Sequence, residues 1–130
     1  MRVIAASAIL LAGCGGSSAP RGSYSIEQAA QGKDVYAGMC LSCHAGMGNH
    51  TGPVFREHWG GHPVADLYQF ISTNMPKNDP GTLSPDDNAA VVAYLLQLNG
   101  MPAGSKALPA DPVALKSIMI DTMSVTSTTR

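Results

Sequence analysis

The chain has 130 residues, a length that accommodates one domain with short appendages. Charged residues make up 13% of it and the formal net charge is −1, which excludes the dense basic surface that nucleic-acid binding requires. Two Phe, one Trp and four Tyr are few aromatic side chains for a core. Because burial alone stabilises a domain of about 100 residues only marginally, an apolar group supplied from outside would contribute much to its stability.

The first residues predict an export signal that is later removed. Arg2 precedes an apolar run over 3–12, which is shorter than the roughly 20 residues needed to span a bilayer but typical of a signal peptide. The run ends in Leu-Ala-Gly and Cys14, which resembles the bacterial lipoprotein box. We therefore expect a signal peptide over 1–13 and a lipidated Cys14 that anchors the mature chain to a membrane. The alternative is an ordinary secretory signal that contains a cysteine. Residues 14–24, rich in Gly and Ser, predict a flexible linker after the lipidated cysteine.

Two helices are predicted in the first half of the folded part. The first begins after Ser25, which is a suitable N-cap, and Gln28 stands in the position of a capping-box partner. Gly32 inside this helix costs about 1 kcal/mol relative to Ala, which indicates either that another helix crosses there closely or that the helix has an accidental weak point. A second helix is predicted over about 63–73, where apolar residues recur at i, i+3, i+4 and i+7 from Val64.

The third predicted helix has the strongest start signal in the chain. Ser84 is a suitable N-cap and Pro85 suits the first helical position, and the helix is predicted to end at Asn99, before a glycine. Apolar residues cover most of its circumference, so we expect it to be buried. The stretches 45–61 and 74–83 are rich in Gly or Pro and predict loops.

The C-terminal part predicts an extended strap followed by a polar end. Residues 107–120 combine prolines with apolar residues and are expected to lie along the body of the domain. The domain boundaries that follow are 25–118 for the folded domain and 119–130 for a disordered tail.

The order of two cysteines and a histidine carries the functional prediction. Cys40 and Cys43 are separated by two residues, and His44 follows at once. This order predicts covalent attachment of c-type haem. Two sulfurs about one helical turn apart can both form thioethers with the vinyl groups on one edge of a porphyrin, and His44 can bind the iron through a ring nitrogen.

This motif has three other interpretations. A thiol–disulfide oxidoreductase would need a strand before Cys40 and a parallel sheet, which the pattern does not predict. A structural zinc site would need a second ligand pair, and His50, His58 and His62 are not spaced like one. A plain disulfide between Cys40 and Cys43 is possible in an exported protein.

The residues around the motif resemble the class I cytochromes c over about residues 28–118. The resemblance rests on the stretches GKDVYAGMCLSCHAGMG, TGPVF, TNMPKNDPGTLSPDDNAAVVAYLLQLNG and PAGSKALPADPVALKSI. It is strongest to the small monohaem domains that accompany quinoprotein and related dehydrogenases. The resemblance implies an all-α cytochrome c domain over 25–118, with three main helices around one covalently attached haem c.

The resemblance also implies contacts and ligands. Gly32 and Tyr36 are expected to cross the last helix near Tyr94 and Leu95. The carbonyl of Pro53 is expected to accept a hydrogen bond from His44, and Trp59 to line the haem edge.

The sixth iron ligand implied by the resemblance is the sulfur of Met75, because a Met-Pro pair in a loop between two helices supplies that ligand in the family. A thioether favours reduced iron and raises the potential. The alternatives are three other methionines and three histidines: Met39, Met47, Met101, His50, His58 and His62.

Iron held by His44 and Met75 has no position open for a substrate, so we expect an electron carrier and no enzyme. The expected partners are a dehydrogenase, another cytochrome or a terminal oxidase, met at the periplasmic side of a bacterial membrane. The alternative function is a haem-based ligand sensor or a small peroxidase with an open distal site.

Overall fold

A computed structural model describes residues 22–122 of the chain, and these residues form helices joined by loops. The helices are α1 (Ile26–Met39), α2 (Gly52–Trp59), α3 (Val64–Asn74), α4 (Pro85–Leu98) and α5 (Pro112–Leu115). Within residues 22–122, strand-like pairing is limited to an isolated antiparallel bridge between Pro63 and Met119. The expected all-α class is confirmed. None of these helices has the length and apolar character needed to cross a membrane.

The three helices predicted from the sequence are α1, α3 and α4. At the start of α1, the Ser25 hydroxyl accepts a hydrogen bond from the backbone N–H of Gln28 at 3.1 Å. At the start of α4, the Ser84 hydroxyl accepts from the N–H of Asp87 at 3.1 Å and donates to its carboxylate at 2.9 Å. Each cap satisfies a backbone donor that the first turn leaves without a helical partner.

The prediction of a continuous loop over 45–61 was wrong, because α2 lies inside it. Its first turn contains Pro53, where a missing N–H costs nothing. Phe55 is 1% exposed, and Trp59, one helical turn further on, is half-buried and packs against the core. The burial of this aromatic face gives the short helix its tertiary support.

The predicted crossing of two helices at Gly32 is confirmed. A Cβ at this position would overlap the backbone carbonyl of Ala90 in α4 and would lie 3.0 Å from the Cβ of Tyr94. One turn later the rings of Tyr36 and Tyr94 meet edge-on, with centroids 5.5 Å apart. Glycine therefore permits the close approach of α1 and α4 that forms the centre of the core.

The strap after α4 is present and is tied to the body by hydrogen bonds. The Gln28 side chain donates to the Leu108 carbonyl at 3.0 Å and accepts from the Leu108 N–H at 2.7 Å. Further along, the Val64 N–H donates to the Ile118 carbonyl at 2.7 Å. The predicted capping-box role of Gln28 was therefore wrong, because both polar atoms of its amide bind the strap.

The folded part extends beyond both predicted boundaries. At the C-terminal side, Ile120 is 1% exposed and its N–H donates to the His62 carbonyl at 2.9 Å. At the N-terminal side, Tyr24 is 2% exposed and its hydroxyl donates to the Met101 carbonyl at 2.6 Å. The last residues of the predicted linker and the first residues of the predicted tail thus pack against the domain, because each segment contributes one large apolar side chain to the core. The predicted signal peptide over 1–13, Cys14 and residues 123–130 lie outside the described residues.

Candidate cofactor site

The cysteine motif forms a hydrogen-bonded turn directly after α1. The Cys40 N–H donates to the Tyr36 carbonyl at 2.9 Å, and the Cys40 carbonyl accepts from the N–H groups of Cys43 at 3.1 Å and His44 at 2.9 Å. Cys40 and Cys43 are free thiols. Because α1 runs straight into this turn, the orientation of the motif is set by the packing of α1 on α4.

A cavity of about 490 Å³ opens beside this turn. Its volume falls in the range of about 300–1,000 Å³ that is usual for small-molecule and cofactor sites. Cys40, Cys43 and His44 form part of its wall. The helices supply the apolar part, from the side chains of Tyr36, Phe55, Leu67, Ile71, Val91 and Leu95.

Trp59 and Phe70 extend the cavity wall on α2 and α3. Their ring centroids are 5.6 Å apart, and both residues line the cavity. Phe70 is 43% exposed, whereas Trp59 is packed against the core. The structure thus places Trp59 on the cavity wall, and its predicted contact with a haem edge stays a prediction.

Of the methionines considered as sixth ligand, Met75 and Met39 line the cavity. Met75 is the C-cap of α3, where its N–H donates to the Ile71 carbonyl at 3.0 Å. Met47 and Met101 pack against the core elsewhere. The structure therefore places Met75 in the same cavity as His44, and its role as iron ligand stays a prediction.

The three candidate histidines have different surroundings. His58 and His62 are exposed and are not among the cavity-lining residues, and His62 pairs with Asp66 at 3.2 Å. His50 does line the cavity, but its ring lies against the ring of His44 with centroids 4.2 Å apart. Since the two axial ligands of a haem approach its iron from opposite faces, a histidine beside His44 is poorly placed to be the sixth ligand.

His50 belongs to a hydrogen-bonded network that the sequence did not predict. Its Nδ1 lies 2.7 Å from the Tyr36 hydroxyl, and its carbonyl accepts a hydrogen bond from the Asn99 side chain at 2.8 Å. Asn99 also accepts from the Gly52 N–H at 3.0 Å and donates to the Leu95 carbonyl at 2.8 Å. One amide thus joins the end of α4 to the loop before α2.

Burial dominates the acid–base properties of these groups. Burial, followed by the nearby Cys40 and Tyr94, raises the pKa of Tyr36 to about 12, so its hydroxyl keeps its proton at neutral pH. Burial, followed by the nearby His44, lowers the pKa of His50. Burial also raises the pKa of the Cys40 thiol. In each case the neutral form is favoured, as expected for groups removed from water.

Among the predicted site residues within 22–122, only Pro53 does not line the cavity. It lies exposed in the first turn of α2. No hydrogen bond within residues 22–122 joins its carbonyl to His44, and its predicted role as acceptor stays a prediction. The predicted lipidation site, Cys14, is outside the described residues.

The residues present fit a covalently attached haem better than the alternatives. A helix rather than a strand precedes Cys40, which speaks against a thiol–disulfide oxidoreductase. Among residues 22–122 no group of three or more His, Cys, Asp and Glu side chains could hold a metal ion, so a zinc site has no support. Two thiols, an imidazole and a thioether around an apolar cavity are the donor set that a c-type haem uses.

Comparison with known proteins agrees with this donor set. Residues 27–95 match the family model described as cytochrome c oxidase, cbb3-type, subunit III. The chain is also similar to a thiosulfate dehydrogenase of Stutzerimonas stutzeri (strain A1501), with 34% identity over 89 residues. That match covers 58% of this chain and 28% of the relative, so the chain corresponds to only part of that protein's length. No solved structure gives a significant match.

Proposed function

Because the chain belongs to the cbb3-type cytochrome c oxidase subunit III family of class I c-type cytochrome domains, we propose that it is a membrane-tethered monohaem cytochrome. In this proposal it carries single electrons between redox partners on the periplasmic side of a bacterial membrane. The observation that carries the proposal is the shared cavity that brings Cys40, Cys43 and His44 together with Met75.

Each of these residues has a defined role in the proposal. Cys40 and Cys43 hold haem c through two thioethers, while His44 and Met75 bind its iron. The bound haem supplies reversible one-electron oxidation and reduction of that iron. Met75 favours the reduced state, because a thioether is a soft ligand.

The apolar wall excludes water from the cofactor. Phe55, Leu67 and Ile71 are at most 7% exposed and all line the cavity. A dry, apolar surrounding disfavours the added positive charge of oxidised iron and so raises the potential in the same direction as Met75. If His44 and Met75 both bound the iron, no coordination position would be open for a substrate, as expected for a carrier rather than an enzyme.

The rim of the cavity carries few charged residues, which suits it to apolar contacts with a redox partner. No Asp, Glu, Lys or Arg occurs between Val35 and Phe55, and the charged residues among those that line the cavity, Lys77 and Asp79, have opposite signs. Met39, Leu41 and Phe70 are between 41% and 43% exposed, and two of them line the cavity. Docking to a partner through this rim would depend weakly on salt, and electron-transfer contacts of this kind are usually small and short-lived.

The proposed partners are redox proteins: a dehydrogenase, another cytochrome or a terminal oxidase. The similarity to a thiosulfate dehydrogenase supports a dehydrogenase as electron donor. The lipid proposed on Cys14 would keep the domain near such partners.

The sixth ligand is the part of the proposal that distinguishes a carrier from a ligand-binding haem protein. We expect the oxidised protein to be low-spin and to show the red absorption band that a methionine sulfur gives on ferric haem. Met75→Leu should abolish that band and allow rapid binding of carbon monoxide to the reduced protein. Met101→Leu is the matched control, since Met101 also precedes a proline but packs outside the cavity, and should leave the spectrum unchanged.

Two results would contradict the proposal. If the unmutated protein is high-spin and binds carbon monoxide rapidly, the function is that of a ligand sensor or a small peroxidase. If the band survives in Met75→Leu, another residue is the sixth ligand.

A further inference from the structure

The ring of His50 lies against the ring of the predicted iron ligand His44. The ring centroids are 4.2 Å apart and the planes are inclined by 44°. His50 is half-buried, as is His44. An aromatic ring at this distance restricts how its neighbour can rotate about the bond between Cβ and the ring.

His50 is itself held from two directions. Its Nδ1 is 2.7 Å from the hydroxyl of Tyr36, and Tyr36 is 3% exposed and packed edge-on against Tyr94. Its carbonyl accepts a hydrogen bond from Asn99 at 2.8 Å, and its N–H donates to the Met47 carbonyl at 2.9 Å. Both the ring and the backbone of His50 are therefore fixed to α1 and α4, the two most closely packed helices.

The hydrogen bond between the Tyr36 hydroxyl and Nδ1 also orients the ring of His50. Because one ring nitrogen is already bound to a buried side chain, rotation of the His50 ring about the bond from Cβ is restricted. The face that this ring turns toward His44 is thereby fixed as well.

We propose that His50 is a positioning residue for the haem ligand: its ring, held by Tyr36 and Asn99, sets the plane of the His44 imidazole. The inference rests on the proposed binding of haem iron by His44. A metal-bound histidine is commonly oriented by a hydrogen-bond acceptor. In this inference the packing of a neighbouring ring has that role. His44 and His50 are six positions apart in the chain. The residues that hold His50, Tyr36 and Asn99, lie 14 and 49 positions from it.

The orientation of an axial imidazole can be measured without any assay of electron transfer. In oxidised low-spin haem it determines the spread of the electron paramagnetic resonance g-values and the pattern of the haem methyl shifts in the proton spectrum. Both are recorded on the haem-loaded protein. His50→Ala should shift the g-values and reorder the methyl resonances, and His50→Phe, which keeps a planar ring but loses the hydrogen bond to Tyr36, should restore only part of the original pattern. His58→Ala is the matched control, since His58 is exposed and not among the residues lining the cavity, and should change neither spectrum.

The decisive outcomes separate this inference from the proposed function. Unchanged g-values and methyl shifts in a haem-loaded His50→Ala protein would overturn the positioning role and leave the carrier function intact. An unmutated protein without low-spin haem would instead overturn the proposed function. Should His50→Ala fail to accumulate, Tyr36→Phe decides in the same two spectra, because it removes only the hydroxyl. Changed g-values and methyl shifts in Tyr36→Phe that are absent from His58→Ala support the inference. Tyr36→Phe spectra identical to those of the unmutated protein reject it.

Discussion

Substitution of Gly32 by alanine tests how α1 and α4 pack, because two opposing effects can be compared. Alanine is about 1 kcal/mol more favourable than glycine inside a helix. Against this gain, the new Cβ overlaps the backbone carbonyl of Ala90 and touches the Cβ of Tyr94. Overpacking of a core costs about 1–3 kcal/mol, and a backbone carbonyl inside a helix cannot rotate away, so the cost should fall at the upper end. We expect Gly32→Ala to lose about 2 kcal/mol of unfolding free energy.

The matched control is Gly38→Ala in the same helix. Gly38 lines the cavity, but a Cβ there meets no protein atom within 4 Å, so this variant should gain up to about 1 kcal/mol. Thermal unfolding of the haem-loaded proteins, followed by circular dichroism, should show a fall in Tm of about 8–16 °C for Gly32→Ala and a small rise for Gly38→Ala. A Gly32→Ala protein as stable as Gly38→Ala would refute the reasoning, since it would mean that the helices are not in backbone contact at Gly32.

Two further predictions concern hydrogen bonds that span the fold. Asn99→Ala removes the side-chain hydrogen bonds that join α4 to the loop before α2, and it should lower the free energy of unfolding in urea by about 1–3 kcal/mol. Asn74→Ala, which removes only local hydrogen bonds, should lower it by less than about 0.5 kcal/mol. Equal losses in the two variants would contradict the bridging role of Asn99. Gln28→Ala should accelerate hydrogen exchange of the Leu108 amide while the helix amides keep their protection, and Gln31→Ala, on the exposed face of α1, should not; an unaltered Leu108 exchange rate would show that the strap is held by other contacts.

Local signals made three helices predictable from the sequence. Ser25 and Ser84 act as N-caps through bonds to residues three positions away, and Pro63 lies immediately before α3. These interactions depend only on neighbouring residues, so the sequence pattern contains them. The crossing at Gly32 was predictable for a related reason, because a costly glycine inside a helix needs a compensating close contact.

The elements that the sequence did not predict depend on distant partners. The glycines of 45–61 predict a loop, so the sequence pattern does not indicate α2. This helix is stabilised by the burial of Phe55 in the core. Gln28 fits a local capping box equally well, but its partner Leu108 is 80 residues away. No local pattern distinguishes a polar side chain that binds a neighbour from one that binds a distant segment.

For the candidate site, the order of Cys40, Cys43 and His44 was sufficient to predict the chemistry, because the motif is local. Met75 was found by the resemblance, and the structure places it in the same cavity. The network of Tyr36, His50 and Asn99 could not be found, because a histidine in a glycine-rich loop gives no sign of its tertiary partners.

The measurement that tests the account most directly is the intact mass and visible spectrum of the protein purified from a bacterium able to attach c-type haem. We predict a polypeptide that carries the added mass of one covalently bound haem and has a low-spin spectrum, and a Cys40→Ala, Cys43→Ala double variant that carries none. A colourless, unmutated polypeptide with two free thiols and no added mass would contradict the central claim.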